Sequence, residues 1–243
     1  MKIVKVDAID STNSYMKELL ASNKLEDFTV VVANEQFAGR GQQGAVWQSE
    51  PGKNLTVSIL KKLNGFPVDH SFHLSMMVSL SVLNLLRSLE IPEITVKWPN
   101  DIMSGNAKVC GVLLQNVLQG AVIKETIIGI GLNVNQKSFE NLPNAASLKM
   151  LSGRIFDLDL LLRELLRELQ DVFTGSGKKD REKLKETYEN ALFKKNVPVT
   201  FELGDGSLLM GIVQGVMPDG RLSVLHENGA LGTYGLKEIR MRY

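Results

Sequence analysis

Apolar positions along the first two-thirds of the chain switch between a period of two and a period near 3.6, which predicts alternating strands and helices. Residues 1–6 and 29–33 are short β-branched runs that read as strands. Between them, 11–20 reads as a helix with Ser11 near its N-cap. A glycine-interrupted stretch, 39–44, fits neither period, and strand character resumes over 54–60. Leucine, methionine and valine at helical spacing predict an amphipathic helix over 73–89. Three strands follow at 95–98, 109–117 and 122–130, the last two turned at Gln119-Gly120. Strands in succession without intervening helices imply an antiparallel or mixed sheet. A leucine-rich helix with an aspartate cap is expected over 157–173, a break over 175–179, and a further helix over 180–193.

The pattern changes at about residue 194–197. From 196 to 243, short strand-like runs are punctuated by Asp205-Gly206, Asp219-Gly220 and Asn228-Gly229, dipeptides that supply the positive φ angles of tight hairpins. About five such strands predict a small barrel of SH3-like size. The expected division is a mixed α+β unit over 1–194 and a small β-barrel over 195–243.

Composition narrows the class. The 243 residues are 44% hydrophobic and 23% charged, with a formal net charge of +1, which describes a globular protein with material for a real core. Near neutrality argues against a nucleic-acid partner held by bulk charge. Cys110 is the single cysteine, so no internal disulfide forms. The first ten residues lack the apolar stretch of a signal peptide, and no uncharged apolar run reaches membrane-spanning length. The expectation is a cytoplasmic protein with no membrane partner.

Four short segments carry candidate chemistry. Gly39-Arg40-Gly41-Gln42-Gln43-Gly44 combines glycines that let backbone amides approach a ligand with a fixed cation for phosphate. It is neither a P-loop, lacking Lys-Ser/Thr after the last glycine, nor a dinucleotide fingerprint, since no helix opens after it; a surface loop fits the segment equally well. Lys97-Trp98-Pro99-Asn100-Asp101, with Lys108-Val109-Cys110-Gly111 beyond it, gathers two lysines, an amide and a carboxylate around a strand–turn–strand unit. A packed Trp-Pro corner with both lysines in solvent explains that segment as well. Gly129-Ile130-Gly131-Leu132-Asn133 puts small residues at a strand end, where a flat ring can lie against backbone, or where a bulge and an asparagine turn occur. Ser11-Thr12-Asn13 alone is a helix cap.

Jointly and in this order, these segments with Gln36-Phe37-Ala38-Gly39-Arg40-Gly41 and Trp47 resemble the biotin–protein ligase family. The resemblance runs from about residue 6 to 135 and more weakly through 143–148 into the tail. It implies an α+β, class II synthetase-like catalytic domain on a mixed sheet followed by an SH3-like domain. It also implies that biotin and ATP, with magnesium, form biotinyl-5′-adenylate, and that biotin passes to a lysine of a biotin carboxyl carrier protein.

By the same resemblance, Ser11, Thr12, Asn13 and Gln36 line the pocket for the ureido ring of biotin. Its carbonyl and two N–H groups need such partners, because a buried unpaired polar group costs about 1–3 kcal/mol. Gly39, Arg40 and Gly41 belong to the loop over the biotin carboxylate and α-phosphate. Lys108 is the lysine expected beside the reacting groups, and Gly111 makes room for the biotin chain. Trp47 and Asn133 are implied on the adenine side with Gly131, and Gln42, Lys97 and Asn100 beside the nucleotide. Asn100 and Asp101 are the candidate magnesium site, and Asp101 is also the candidate acceptor of the lysine proton. Many family members have arginines where this chain has Gln42 and Gln43, and a basic residue at Ala45, which puts the second arginine's hold on the adenylate in question. The motif at Ser11 begins too near Met1 for an N-terminal winged helix, so the ligase without repressor function is expected. A homodimer is among the assemblies that the resemblance allows. The rival readings are a lipoate ligase or octanoyl transferase, a DNA-binding biotin sensor, and a C-terminal peptide-binding module.

Overall fold

The computed structural model describes residues 2–140, 142–175 and 181–243. It is a mixed α+β fold built on a seven-stranded sheet of order β1-β2-β3-β7-β6-β5-β4. β1 (Ile3–Ile9) and β2 (Val30–Gln36) pair in parallel, linked by α1 (Thr12–Ser22). Every other pairing, through β3 (Leu55–Pro67), β7 (Val122–Leu132), β6 (Ala107–Gln119), β5 (Asp101–Ser104) and β4 (Ile94–Lys97), is antiparallel. The sheet is therefore mixed, as the run of strands implied. The hairpin β5 is an element that periodicity missed, because four residues are too few to show a period.

Alternation along the strands divides the sheet into two unlike faces. Leu55, Val57 and Ile59 of β3, with Ile128, Ile130 and Leu132 of β7, point into the main core. There they pack with α2 (Ser71–Ser88), α4 (Leu158–Gly175) and α5 (Arg181–Asn190). The intervening Leu60 and Ile127 turn the other way and meet Met16 of α1 with Val31 of β2. Between those two apolar regions the second face carries Thr56 and Ser58 on β3 and Gly129 and Gly131 on β7, and this small-residue patch becomes the floor of the site.

Asp157 caps α4, its Oδ1 accepting from the amides of Asp159 and Leu160. Of the break predicted over 175–179, Gly175 is still the last residue of α4, and 176–179, with the first residue of the helix expected from 180, lie outside the described residues. A short helix, α3 (Leu148–Ser152), was not predicted; the Ser147 hydroxyl caps it and Gly153 closes it at φ 72°.

The tail folds as five strands in one antiparallel sheet, order β11-β10-β9-β8-β12: β8 (Pro198–Leu203), β9 (Leu208–Val216), β10 (Leu222–His226), β11 (Leu231–Tyr234) and β12 (Ile239–Arg242). The glycines of all three anticipated turn dipeptides, Gly206, Gly220 and Gly229, have positive φ. This SH3-like unit is tied to the larger one. The Trp98 indole donates to the Gly220 carbonyl at 2.9 Å, and an added Cβ on Gly220 would lie 2.6 Å from the Phe72 ring. Phe72 in turn meets the buried Tyr188 edge-on, with ring centroids 5.7 Å apart. No helix among the described residues is long and apolar enough to cross a membrane.

Candidate active site

A cavity of about 210 Å³ opens over the small-residue face of the sheet. Pairing across β3, β7, β6 and β5 aligns Thr56, Gly131, Gly111 and Asp101 in one row, and Ser58, Gly129 and Leu113 in the next. Paired residues point to the same face. Two glycines side by side in the first row therefore leave bare backbone as a platform.

Trp47 lies on that platform. A Cβ on Gly131 would come within 2.3 Å of the indole, and one on Gly111 within 3.1 Å. The flat ring that the glycines were expected to admit is, here, the protein's own. Its Nε1–H is buried without a hydrogen-bond partner.

The loop carrying Arg40 and Trp47 is pinned, not open. The amide of Gly41 donates to the Ala45 carbonyl at 2.7 Å, that of Trp47 to Gly39 at 2.9 Å, and Arg40 bridges Val46. Gly39 is required at its position, since a Cβ there would meet the Trp47 carbonyl at 2.4 Å. Residues 42–44 form one 3₁₀ turn, and the exposed Arg40 stands at the rim of the cavity.

Lys108 reaches the platform through a β-bulge. Strict alternation from the core residues Cys110 and Val112 would point Lys108 into the main core. The β5–β6 register slips between Ile102 and Met103, and both Val109 and Cys110 face the core at 0% exposure. One extra residue returns Lys108 to the cavity side. Its ammonium pairs with Asp101 Oδ1 at 2.6 Å and stands 5.6 Å from the centre of the Trp47 ring. Burial pushes the Cys110 thiol well above its ordinary pKa, so this neighbour stays a neutral core group.

The other end of the cavity is polar and uncharged. Ser11 occupies the N-cap of α1, yet its hydroxyl makes no capping bond, unlike the cap predicted for it. The Thr12 amide and hydroxyl both donate to Gln36 Oε1, at 2.8 and 3.0 Å. Asn13 sits over Gly129, where a Cβ would fall 2.4 Å from its Oδ1. Its Nδ2 donates to Gln115 Oε1 at 3.2 Å.

Ser11, Thr12, Asn13, Gln36, Arg40, Gly41, Gln42, Trp47, Asn100, Asp101, Lys108, Gly111 and Gly131 all line this one cavity. Gly39 is not in the lining; it lies against the Trp47 carbonyl and beside Gln36 Nε2. Lys97 lies outside it, in a neighbouring cleft toward the small sheet, where its ammonium approaches the Tyr243 hydroxyl at 3.1 Å. Asn133 is also outside the lining; it is buried, and its Nδ2 donates to the Ala146 carbonyl at 3.1 Å while Oδ1 has no partner. Asn100 donates to the Val112 carbonyl at 2.5 Å. Ser58 and Gln115 were missed by motif reading, whereas Gly129 lies in a segment it singled out. The signal was present in β3, where polar Thr56 and Ser58 interrupt an otherwise apolar strand.

Comparison with known proteins places the sequence and the fold. Residues 6–133 match the biotin/lipoate A/B protein ligase family. A bifunctional ligase/repressor BirA of Bacillus spizizenii is 31% identical over 169 residues, 68% of this chain, and the chain spans 51% of that relative's length. A biotin–[acetyl-CoA-carboxylase] ligase of Mycobacterium tuberculosis is 30% identical over 224 residues, covering 90% of this chain and 82% of the relative. Among solved structures, a biotin protein ligase from Aquifex aeolicus in complex with biotin and ATP superposes with a TM-score of 0.82 at 27% identity, over 99% of this chain and 98% of that one. With its fold and more than half its length in agreement, the chain belongs to the biotin/lipoate A/B protein ligase family.

Proposed function

We propose that this protein is an ATP-dependent biotin–protein ligase. It joins biotin and ATP as biotinyl-5′-adenylate with release of pyrophosphate. It then transfers the biotinyl group to a lysine of a biotin carboxyl carrier protein with release of AMP. The observation that carries the reading is the two-ended cavity: an uncharged hydrogen-bonding pocket at Thr12, Asn13 and Gln36, and cations at Lys108 and Arg40. A cyclic urea needs donors and acceptors around it, whereas a lipoyl or octanoyl group has an apolar end that would leave these side chains unpaired. That favours biotin over the acyl substrates of the wider family.

The chemistry follows from charge. A carboxylate oxygen attacks the α-phosphorus as the bond to pyrophosphate breaks, so two anions approach each other. Lys108, held over the Gly111 floor by Asp101, places a positive charge where negative charge accumulates. Arg40 at the rim closes on the same groups and helps keep water from the mixed anhydride. In the second step the lysine nitrogen attacks the acyl carbon, AMP leaves, and Asp101 takes the amine proton. Trp47, backed by Gly131, offers the stacking surface for adenine, with Gln42 and Asn100 beside the nucleotide; Lys97 in the neighbouring cleft and the buried Asn133 stand outside this cavity and are left out of the nucleotide contacts.

Among the described residues, no three His, Cys, Asp or Glu side chains cluster as a metal site. The oxygens of Asn100 and Asp101 suit a magnesium ion that arrives on ATP phosphates, since that ion binds through one or two protein oxygens plus the substrate. It would supply further neutralisation of the phosphates. The residue division 1–194 and 195–243 is part of the same reading, with the small sheet flanking the cleft beside Lys97.

Pyrophosphate release tests the first step. The purified protein with ATP and magnesium should release it when biotin is added and not when lipoate is added. Release with lipoate alone would move the chain to the other branch of the family.

A further inference from the structure

We infer that Ser58 is a specificity-determining positioning residue for the head ring of the substrate, although it never touches the ligand. The inference rests on the ligase reading above. Ser58 lies on β3 under the cavity floor at 0% exposure, outside the cavity lining. Its hydroxyl stands 2.5 Å from Asn13 Oδ1 and 2.8 Å from Thr12 Oγ1. It therefore joins the two pocket residues that follow each other at the start of α1.

Counting protons shows what this contact accomplishes. An amide oxygen cannot donate, so the Ser58 proton goes to Asn13 Oδ1. The Thr12 hydroxyl then supplies the one proton left, shared between Ser58 Oγ at 2.8 Å and Gln36 Oε1 at 3.0 Å. Thr12 thereby keeps a lone pair for a ligand N–H. Gln36 Oε1 is taken by the Thr12 amide, so what this side chain still has to offer a ligand carbonyl is its Nε2 donors. The far end of the Asn13 amide is set by Gln115, and Gly129, register partner of Ser58, clears the space that Asn13 fills. A hydroxyl buried beneath the floor thus imposes the donor and acceptor pattern that a cyclic urea requires. Alanine at 58 would leave Asn13 Oδ1 without its donor and free Thr12 to rotate.

Steady-state pyrophosphate release, measured against both substrates, tests this. Ser58→Ala is expected to raise the KM for biotin about tenfold, with kcat and the KM for ATP within about twofold of wild type. In an Asn13→Ala background the same substitution should add little, because the effect runs through that side chain. Gln115→Leu, which releases Asn13 from a half-buried position, should raise the KM for biotin in the same sense and covers the case of a poorly folded Ser58→Ala. An unchanged KM for biotin, equal rises for biotin and ATP, or full additivity with Asn13→Ala would overturn the inference. A wild type that releases no biotin-dependent pyrophosphate would instead overturn the ligase reading itself.

Discussion

Lys108 illustrates how much a single residue's role depends on its surroundings. Read alone in Lys108-Val109-Cys110-Gly111, it passes equally well for a solvated lysine. In the fold it is paired with Asp101 at 2.6 Å, and its side chain lies over Gly111, where an added Cβ would already be in van der Waals contact with it at 3.5 Å. Such a preorganised charge acts mainly as the transition state forms. Lys108→Ala is therefore expected to lower kcat for pyrophosphate release by about a hundredfold to a thousandfold, and to weaken biotin binding by calorimetry far less. Equal losses in the two measurements would make Lys108 a binding group only. The residues of the polar pocket were legible from the family resemblance because they lie in one short motif and at Gln36. Ser58 was not, since a lone serine inside a strand carries no motif and its meaning comes from what lies across the sheet.

At the scale of elements, periodicity identified the long pieces well. The α2 and α4 patterns and the β6–β7 hairpin appear in the structure within a few residues of their expected limits. It failed where a local irregularity changes the face a side chain occupies. The bulge at Val109–Cys110 is invisible to a period-two reading, and it is what turns Lys108 out of the core. The Gly129-Ile130-Gly131 alternation was legible, but not what would lie on it. Gly131→Ala tests that packing. The new methyl would fall within 2.3–2.7 Å of the indole, so Trp47 must move off the platform. The expected result is a KM for ATP raised by about tenfold or more, with biotin affinity close to wild type and Trp47 fluorescence altered in a Trp98→Phe background. An unaltered KM for ATP would mean that adenine does not use this surface.

Across the whole molecule, the barrel-like tail was predictable because hairpin turns announce themselves through Asp-Gly and Asn-Gly. Its docking was not, since Trp98 to Gly220 and Phe72 beneath that turn are contacts between distant segments. Stability also has a pH signature. Burial, then the charges of His70, Arg181 and Lys185, hold the pKa of His73 below its ordinary value, against a raising contribution from its backbone bond near His70. The fold therefore favours neutral His73, and the unfolded chain takes up the proton more readily. Stability from this group is present above the ordinary histidine pKa of about 6.5 and is lost as pH falls below it. The melting temperature should fall as pH is lowered through that value, and less steeply in His73→Leu.

The two-ended cavity is useful only if both chemical steps occur on one protein, with the adenylate made at Lys108 consumed by an acceptor amine at the same rim. The most direct measurement is the intact mass of a biotin carboxyl carrier domain after incubation with the purified protein, ATP, magnesium and biotin. The account predicts that the carrier gains the mass of one biotinyl group at its acceptor lysine, that omission of ATP abolishes the gain, and that lipoate cannot replace biotin. A carrier that stays unmodified while pyrophosphate is released, or one that gains a lipoyl group instead, would contradict it.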